Sequence, residues 1–375
     1  MQFESLLALP PFYFVFTVVA FLVALIVIVF IHELGHFLMA RWCGVTVEAF
    51  SIGFGREIFG WNDRHGTRWK VGWLPLGGYV KFQGDANAAS MPGSESQNAA
   101  PGSFHSAALW KRALVVAAGP AANFLLAIAI FAGAFMLYGE PDTPPVISEI
   151  VSGSAAEEAG IKPGDIIVSI DGSHIDNFED VKRAVFTRAG EHLSIVVDRN
   201  GTRLTIDAVP KASEQDDGLG GKMKVGLLGV KINANAAVNF KRLGPVQAVV
   251  KATDNVWFMV ATTFKYIGKV FTGAESAKQV SGVIGIGQLA GAAASEGLFQ
   301  FIQLIAFLSV NIGLINLFPI PMLDGGHLVF YGIEAVRGKP LGPTAQEWAF
   351  RVGISLVIML MMTGMWNDIS RHLGG

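Results

Sequence analysis

Four long apolar runs divide the chain and predict four membrane-spanning helices. No residue from 5 to 31 is charged. A helix of that length would rise about 40 Å, more than the roughly 30 Å of a bilayer's hydrocarbon core. Uncharged runs also cover 113–138, 297–323 and 352–366. The pattern therefore indicates a polytopic α-helical membrane protein. The predicted spans are 1–38, 113–138, 297–323 and 350–367.

The first run has an alternative interpretation as a cleaved signal peptide. Such peptides begin with basic residues and have a short apolar core. This chain instead has Glu4 and no Lys or Arg before the run, and its apolar stretch is longer. We therefore expect the first run to be a membrane span.

One further apolar window, 255–264, is too short to cross a bilayer. Basic residues lie around it: Lys251, Lys265 and Lys269. With the aromatic Trp257 inside the window, this pattern is typical of an amphipathic helix that lies on a surface. We assign 231–296 to such a helical segment.

The composition agrees with a membrane protein and excludes other classes. Of the 375 residues, 51% are hydrophobic and only 15% charged, and the mean hydropathy is +0.46. These values exclude an ordinary cytosolic enzyme and a disordered chain. The net charge of -2 gives no electrostatic reason to expect nucleic acid as a partner. The single cysteine, Cys43, excludes an internal disulfide.

The distribution of basic residues predicts the orientation of the spans. Eight Lys and Arg side chains lie in 39–112, between the first two spans, and none precedes the first span. The positive-inside tendency places this loop and the loop 324–349 in the cytoplasm. Both termini, including the tail 368–375, are then outside.

A quarter of the chain is much more polar than the rest. Residues 141–240 hold 25 of the 58 charged residues, so this segment is predicted to be water soluble and extracytoplasmic. A short helix over 154–160, capped by Ser154 and stopped by Gly160, is expected there. A second helix is expected over 178–189. The predicted strands are 166–170, 193–198 and 203–209.

This order of elements, and above all SAAEEAGIKPGDIIVSIDG at 154–172, resembles a bacterial PDZ domain. We assign one such α+β domain to 139–230. The resemblance implies that it binds extended peptides by strand addition. The alternative is a spacer or steric cover that binds no peptide.

Candidate chemistry appears at the end of the first span, in the sequence HELGH. His32 and His36 are four residues apart, so on a helix both imidazoles share one face and can hold one ion. Glu33 lies about 100° around the helix, where it can reach a metal-bound water. Imidazole ligands with an open position favour zinc. Placement of three polar side chains at the end of an apolar span indicates function, although a plain location at the water boundary is the alternative.

A metalloprotease site needs a third protein ligand. The third span ends in NLFPIPMLDGGH, where Pro319 and Pro321 cannot continue a helix. Asp324 would then be a carboxylate at the depth of His36, and we predict it as the third ligand. His327 is a rival ligand, and a capping role for Asp324 is the structural alternative.

HELGH, the NxxPxPxLDG segment and the intervening PDZ-like domain resemble the site-2 protease family of intramembrane zinc proteases, most closely its sigma-E-regulating bacterial branch. The resemblance implies one zinc ion held by His32, His36 and Asp324, with Glu33 as the catalytic base. It implies that Asn316 and Asn123 contact substrate. Well-known members of that branch have two tandem PDZ domains, whereas this chain has one.

The same resemblance implies the cellular setting. The substrates would be single-span membrane proteins such as anti-sigma factors, or remnants of signal peptides, cut after a first extracytoplasmic cleavage. The protein would reside in the bacterial inner membrane, with its active site toward the cytoplasm and the PDZ-like domain in the periplasm.

Two segments between the first spans bear on substrate binding. The small, polar stretch 84–103 is predicted to be a mobile linker. The segment 69–82 alternates well enough to form a cytoplasmic-side β-hairpin, with Gly77 and Gly78 at a tight bend or close approach. We hypothesise that its edge pairs with an extended substrate. The alternatives are an amphipathic structure on the inner leaflet and, for Asn123, bonding between helices.

Two other function classes remain possible from the sequence. A non-catalytic scaffold or chaperone with a PDZ domain would function without Glu33. A transporter with a midplane metal site would have broken helices repeated in two halves, and no such repeat is visible in the sequence.

Overall fold

The computed structural model describes residues 11–84, 102–216, 222–232, 240–273 and 282–373. The chain forms two compact units, one of residues 1–131 with 280–375 and one of residues 132–279. The predicted linker 84–103 lies almost wholly outside the described residues.

The described helices, in chain order, are α1 (Pro11–Trp42), α2 (Leu109–Leu137), α3 (Ala155–Ala159), α4 (Phe178–Phe186), α5 (Pro245–Phe271), α6 (Val283–Glu296), α7 (Leu298–Asn316), α8 (Asp324–Arg337) and α9 (Pro343–Leu373). The described strands are β1 (Val47–Asn62), β2 (Arg68–Phe82), β3 (Glu140–Pro141), β4 (Glu149–Ile150), β5 (Ile166–Ile170), β6 (Ser173–His174), β7 (Leu193–Arg199), β8 (Thr202–Ala208), β9 (Lys211–Asp216), β10 (Lys222–Leu227), β11 (Val230–Lys231) and β12 (Phe240–Lys241).

Within the described ranges, four helices are long and apolar enough to cross a membrane. They are Pro11–Trp42, Leu109–Leu137, Leu298–Asn316 and Thr344–Ser370. Their number matches the prediction, and their bounds differ from it. The third ends seven residues early because Pro319 and Pro321 leave the helical path. Within the predicted loop 324–349, the first half forms α8, and the residues from Pro343 onward belong to α9.

Strands β1 and β2 form a long antiparallel hairpin between the first two membrane-length helices. The prediction of a hairpin folded within 69–82 was wrong, because that segment is one strand and pairs with β1. The turn lies at 63–67, where Asp63 Oδ1 accepts the backbone N–H groups of His65 at 2.8 Å and Thr67 at 3.0 Å. This Asx-type turn specifies the reversal, and Gly66 supplies a positive φ of 88°.

Aromatic packing fixes the base of the hairpin on α1. Phe50 is fully buried and stacks on Trp69 with ring centroids 4.3 Å apart. Phe37, one residue after His36, packs edge-on against Phe50 at 5.6 Å. Burying a Phe side chain contributes about 1.5–3 kcal/mol. The hairpin therefore has a defined position relative to the HELGH turn.

Small residues bring α1 and α2 close together. A Cβ atom on Gly35 would overlap the carbonyl oxygen of Ala118 and lie 2.7 Å from the Cβ of Ala122. Glycine and alanine at such a crossing allow the two backbones to approach closely. The crossing holds the His32–His36 face of α1 against the backbone of α2.

The second unit contains a four-stranded antiparallel sheet in the order β6-β5-β7-β8. Its core is made of fully buried aliphatic residues, among them Ile147, Ile167 and Ile195. The predicted short helix is present as α3, with Ser154 as N-cap and Gly160 in the left-handed region at φ 78°. Helix α4 begins with a capping box from Asn177 and ends at Phe186, three residues before the predicted end.

Helix α5 packs within this second unit, which is larger than the predicted domain 139–230. Lys251 pairs with Glu140 at 3.2 Å and with Asp180 at 3.7 Å. Arg183 of α4 donates to Asn255 Oδ1 at 3.0 Å. The amphipathic pattern around 255–264 therefore lies on a helix whose polar face contacts α4 and β3.

Candidate metal centre

His32 and His36 lie one turn apart on α1 and face the same side. Their Nε2 atoms are 3.2 Å apart. The side chain of His32 is 10% exposed and that of His36 is 11% exposed. The four-residue spacing produces this arrangement because side chains at i and i+4 share a helix face.

Asp324, the first residue of α8, completes the group from a distant part of the chain. Its Oδ2 is 3.1 Å from His32 Nε2, and its Oδ1 is 3.5 Å from His36 Nε2. The three ligand atoms lie within 4.8 Å of one another. Among the residues that the structure describes, these three side chains form the group of His, Cys, Asp and Glu that could hold a metal ion.

The hydrogen bonding of this cluster fits a cation. His36 Nδ1 is 2.8 Å from the Val115 carbonyl oxygen, which can only accept, so Nδ1 carries the proton and Nε2 presents a lone pair. Asp324 Oδ2 is buried without a hydrogen-bond donor. Acceptors that face one another in a buried site require a positive charge between them. Two imidazoles and a carboxylate match a catalytic zinc site with one open position.

Gly119 of α2 provides the space beside the cluster. A Cβ atom at this position would overlap His36 Nε2 and lie 2.9 Å from His32 Cε1. Any side chain there would displace the imidazoles from their present positions. The glycine therefore sets the distance between α2 and the candidate ligands.

A cavity of about 200 Å³ opens beside the cluster. Glu33 lines it, about 100° around α1 from His32. Residues 78–80 of strand β2 line the same cavity, and the backbone amide of Val80 faces the Glu33 carboxylate. A Cβ on Gly78 would lie 3.0 Å from Glu33 Cγ. The strand can approach Glu33 this closely because residue 78 is glycine.

A tight backbone segment brings Asp324 to the histidines. Cβ atoms on Gly325 and Gly326 would overlap the carbonyl oxygens of residues 317, 318 and 320, and a Cβ on Gly353 of α9 would overlap that of Pro321. Met322, which lines the cavity, has a φ of 105°. Such a value costs a non-glycine residue of order 1–3 kcal/mol and is characteristic of functional sites.

An ion pair fixes α8 to the start of α2. Arg112 donates to both carboxylate oxygens of Glu334, at 3.2 and 2.6 Å, and both side chains are mostly buried. The Arg112 guanidinium also lies 5.1 Å from the ring centroid of Tyr331, which lines the cavity. The helix that begins with Asp324 is thereby held in place ten residues further along.

The structure separates the residues predicted to bind substrate. Asn316 and Gly78 line the cavity. Gly77 is not among the residues that line the cavity, and a Cβ on it would lie 2.5 Å from the Phe54 ring. Asn123 is 0% exposed and lies beside His32 Nδ1, and its contact with substrate stays a prediction. His327 lines the cavity without joining the three-ligand cluster.

Sequence reasoning missed three contributors to the site. Val115 acts through its backbone carbonyl, which no sequence pattern marks. Tyr331 lies one turn beyond His327 on α8, a spacing that would have placed it on the same face. Gly119 precedes Asn123 by four residues within a run of small residues. That spacing would have placed the two residues on the same face of α2.

Comparisons with known proteins identify the family of the chain. The sequence profile described as Peptidase family M50 matches residues 20–360. A protein of Rhizobium meliloti, named provisionally as a zinc metalloprotease, is 48% identical over 366 residues, which cover 96% of this chain and 98% of the relative. Metalloprotease MmpA of Caulobacter vibrioides is 40% identical over 386 residues, covering 96% of each chain.

Proposed function

The chain belongs to peptidase family M50, and on that premise we propose that it is a membrane-embedded zinc endopeptidase of the site-2 type. It hydrolyses peptide bonds within or near the transmembrane segment of single-span membrane proteins. The observation that supports this most is the group of His32, His36 and Asp324 beside a cavity that also contains Glu33. His32, Glu33 and His36 lie on α1, and Asp324 begins the helix that follows α7. The site is therefore built on two of the four membrane-length helices.

Each side chain has a distinct role in the hydrolysis. His32, His36 and Asp324 hold the zinc, which supplies Lewis acidity toward the scissile carbonyl and toward water. Glu33 takes a proton from the attacking water and delivers it to the nitrogen of the leaving amine as the C–N bond breaks. Asn316 donates a hydrogen bond to the oxygen on which negative charge develops.

Strand β2 provides the binding surface for the substrate backbone. A transmembrane helix hides its carbonyls in internal hydrogen bonds, so the substrate must unwind before it can be cut. Its freed backbone groups then need partners in a site without bulk water. Residues 78–80 line the cavity on the edge of a two-stranded sheet, and this edge pairs with the extended substrate.

The second unit selects substrates as a PDZ-type domain in the periplasm. A cavity of about 730 Å³ lies between α4 and residues 225–230, and Phe258 of α5 lines it as well. This groove either holds a peptide terminus or excludes substrates whose extracytoplasmic part is untrimmed. The substrates are anti-sigma-factor-like proteins or signal-peptide remnants, cut in the bacterial inner membrane after a first cleavage outside.

Cleavage of a model single-span substrate by the purified protein tests the proposal. Wild type and Glu33→Gln are compared, with bound zinc quantified in both. We expect Glu33→Gln to lose cleavage by a factor on the order of 10³ while retaining zinc. Equal cleavage by both proteins would remove Glu33 from the mechanism, and zinc-loaded protein that cuts no single-span substrate would favour the non-catalytic scaffold.

A further inference from the structure

The candidate ligand His32 has a second ring nitrogen that the proposed chemistry leaves unexplained. Its Nε2 faces Asp324 and His36, at 3.1 and 3.2 Å. If Nε2 presents a lone pair to zinc, the ring proton must reside on Nδ1, because a neutral imidazole carries one proton. Nδ1 then needs an acceptor in a buried environment.

The side chain beside Nδ1 is the amide of Asn123. The amide nitrogen is placed 3.2 Å from His32 Nδ1, and the residue is 0% exposed. The amide oxygen Oδ1 is buried without a hydrogen-bond partner. A 180° rotation of the amide exchanges these two groups, and the choice between them is made from the hydrogen bonds each would form. The rotated amide gives Oδ1 its missing donor.

We infer that Asn123 is a positioning residue for the metal centre, with its Oδ1 accepting the Nδ1–H of His32. The bond fixes the tautomer and the ring plane of His32 so that Nε2 presents its lone pair to zinc. Metal-binding histidines generally donate their other N–H to a carbonyl or carboxylate. This inference rests on the proposed zinc site and adds a function for a residue that does not line the cavity.

Helix α2 serves both histidines in the same way. Val115 accepts from His36 and Asn123 lies at His32, eight residues later, so both acceptors lie on one face of α2. Gly119, midway between them, leaves room for both imidazoles. This face of α2 therefore presents one acceptor to each imidazole, and the glycine between them leaves space for the two rings.

The test measures zinc affinity of the full-length protein by competition with a chelator, independently of cleavage. Asn123→Leu removes the acceptor, and we expect its zinc affinity to fall by about 10–100-fold. Asn123→Asp keeps an acceptor and has no N–H group, so its affinity should equal or exceed that of wild type. A loss in Asn123→Asp as large as in Asn123→Leu would overturn the inference, because the amide would then be acting as a donor.

Ser309→Ala is the matched control. Ser309 is 0% exposed, and its hydroxyl donates to the backbone oxygen of Asn123 at 2.9 Å. It therefore contributes to the same interface of α2 and α7 without touching His32. We expect its zinc affinity to stay within about twofold of wild type. A loss like that of Asn123→Leu would show that disturbing the interface is enough, and this would refute a specific role for the amide.

His32→Ala separates this inference from the proposed function. If His32→Ala binds zinc as wild type does, the proposed zinc site is wrong and the inference fails with it. If His32→Ala loses zinc and Asn123→Leu retains wild-type affinity, only the inference fails. Thermal unfolding without zinc confirms that each variant is folded, and the Asn123→Asp result decides the inference if Asn123→Leu does not fold.

Discussion

Two aspartates, one in each compact unit, have opposite surroundings. Asp165 in the second unit is 0% exposed and accepts from Arg199 Nε and Nη2, both at 2.7 Å, and from the Lys162 backbone N–H at 2.8 Å. Asp324 is 16% exposed and faces the ring nitrogens of His32 and His36, and its buried Oδ2 has no donor. The first carboxylate is fully satisfied by the fold, whereas the second needs a cation.

Hydrogen bonding therefore distinguishes a structural carboxylate from a functional one. A buried charge with all its hydrogen bonds stabilises the fold through them, and its removal exposes unpaired partners. A buried charge among acceptors costs stability and persists only where it binds something. Substitutions at the two aspartates should therefore affect different quantities.

The largest effect is expected at Asp324. Asp324→Ala should lose stoichiometric zinc and reduce cleavage on the order of 10³-fold, because metal ions supply several kcal/mol of transition-state stabilisation. Its free energy of unfolding without zinc should equal or exceed that of wild type, because a carboxylate whose buried oxygen has no donor is removed. Metal analysis and thermal unfolding check this. A variant that keeps zinc would remove Asp324 from the ligand set.

Asp165→Ala should show the reverse. Removal of this carboxylate leaves Arg199 Nε and the Lys162 backbone N–H without their acceptor, although Arg199 Nη2 still donates to Gly160 O. We expect the second unit to lose about 3 kcal/mol of unfolding free energy. Zinc content should be unchanged. Hydrogen exchange of the β5 and β7 amides measures the stability of this unit in the full chain. Unchanged protection in Asp165→Ala would contradict the structural role.

The pH dependence of the second unit follows from the same carboxylate. The hydrogen bonds from Arg199 lower the pKa of Asp165 below its ordinary value. Its contribution is therefore complete above the unfolded-state pKa of about 3.9 and disappears as the pH falls through the lower folded-state pKa. Protection of β5 and β7 should drop across this acid range in wild type, and the drop should be smaller in Asp165→Asn.

A smaller effect is expected where an ion pair acts on the metal centre indirectly. Arg112→Ala leaves Glu334 unpaired and loosens the end of α8 opposite Asp324. We expect zinc affinity to fall by about 3–10-fold, less than for a residue that touches a ligand. Chelator competition measures it. Wild-type affinity in Arg112→Ala would show that the tight segment 317–326 positions Asp324 without the ion pair.

The smallest effect is expected at Arg351, whose pair with Glu347 on α9 is 63% and 57% exposed. Exposed pairs at i and i+4 contribute about 0.3–0.5 kcal/mol. Arg351→Ala should therefore change neither zinc binding nor thermal stability beyond that amount. A clear loss of zinc in this variant would show that charge effects at the metal centre extend further than direct contacts.

The sequence allowed prediction of features that depend on local spacing. The positions of His32, Glu33 and His36 on one helix follow from helical periodicity, and the ends of α3 follow from Ser154 and Gly160. The choice of Asp324 rested on the prolines that end the third span, on the need of HELGH for a third ligand, and on the resemblance to the site-2 protease family. All of these patterns extend over less than a dozen residues.

Features that depend on pairing between distant segments could not be predicted in the same way. Apolar and polar residues alternate along 69–82, and this pattern fits a hairpin as well as a single strand. Only the pairing of the segment with β1 distinguishes the two structures. Asn123 is a polar residue in an apolar span, so a hydrogen-bond partner is expected, but the sequence does not identify which residue it is. Its position behind His32 depends on how α2 crosses α1.

The wide separation of the ligands along the chain has a consequence for biosynthesis. Almost 300 residues lie between His32 and Asp324, and a ribosome that adds about 5–20 residues per second needs some 15–60 seconds to make them. During that time the growing chain has the two imidazoles but not Asp324. A chain that stops short, or whose third span fails to insert, therefore lacks one of the three ligands. The proposed hydrolysis would then begin only in a chain that has been made beyond Asp324 and whose third span has been inserted.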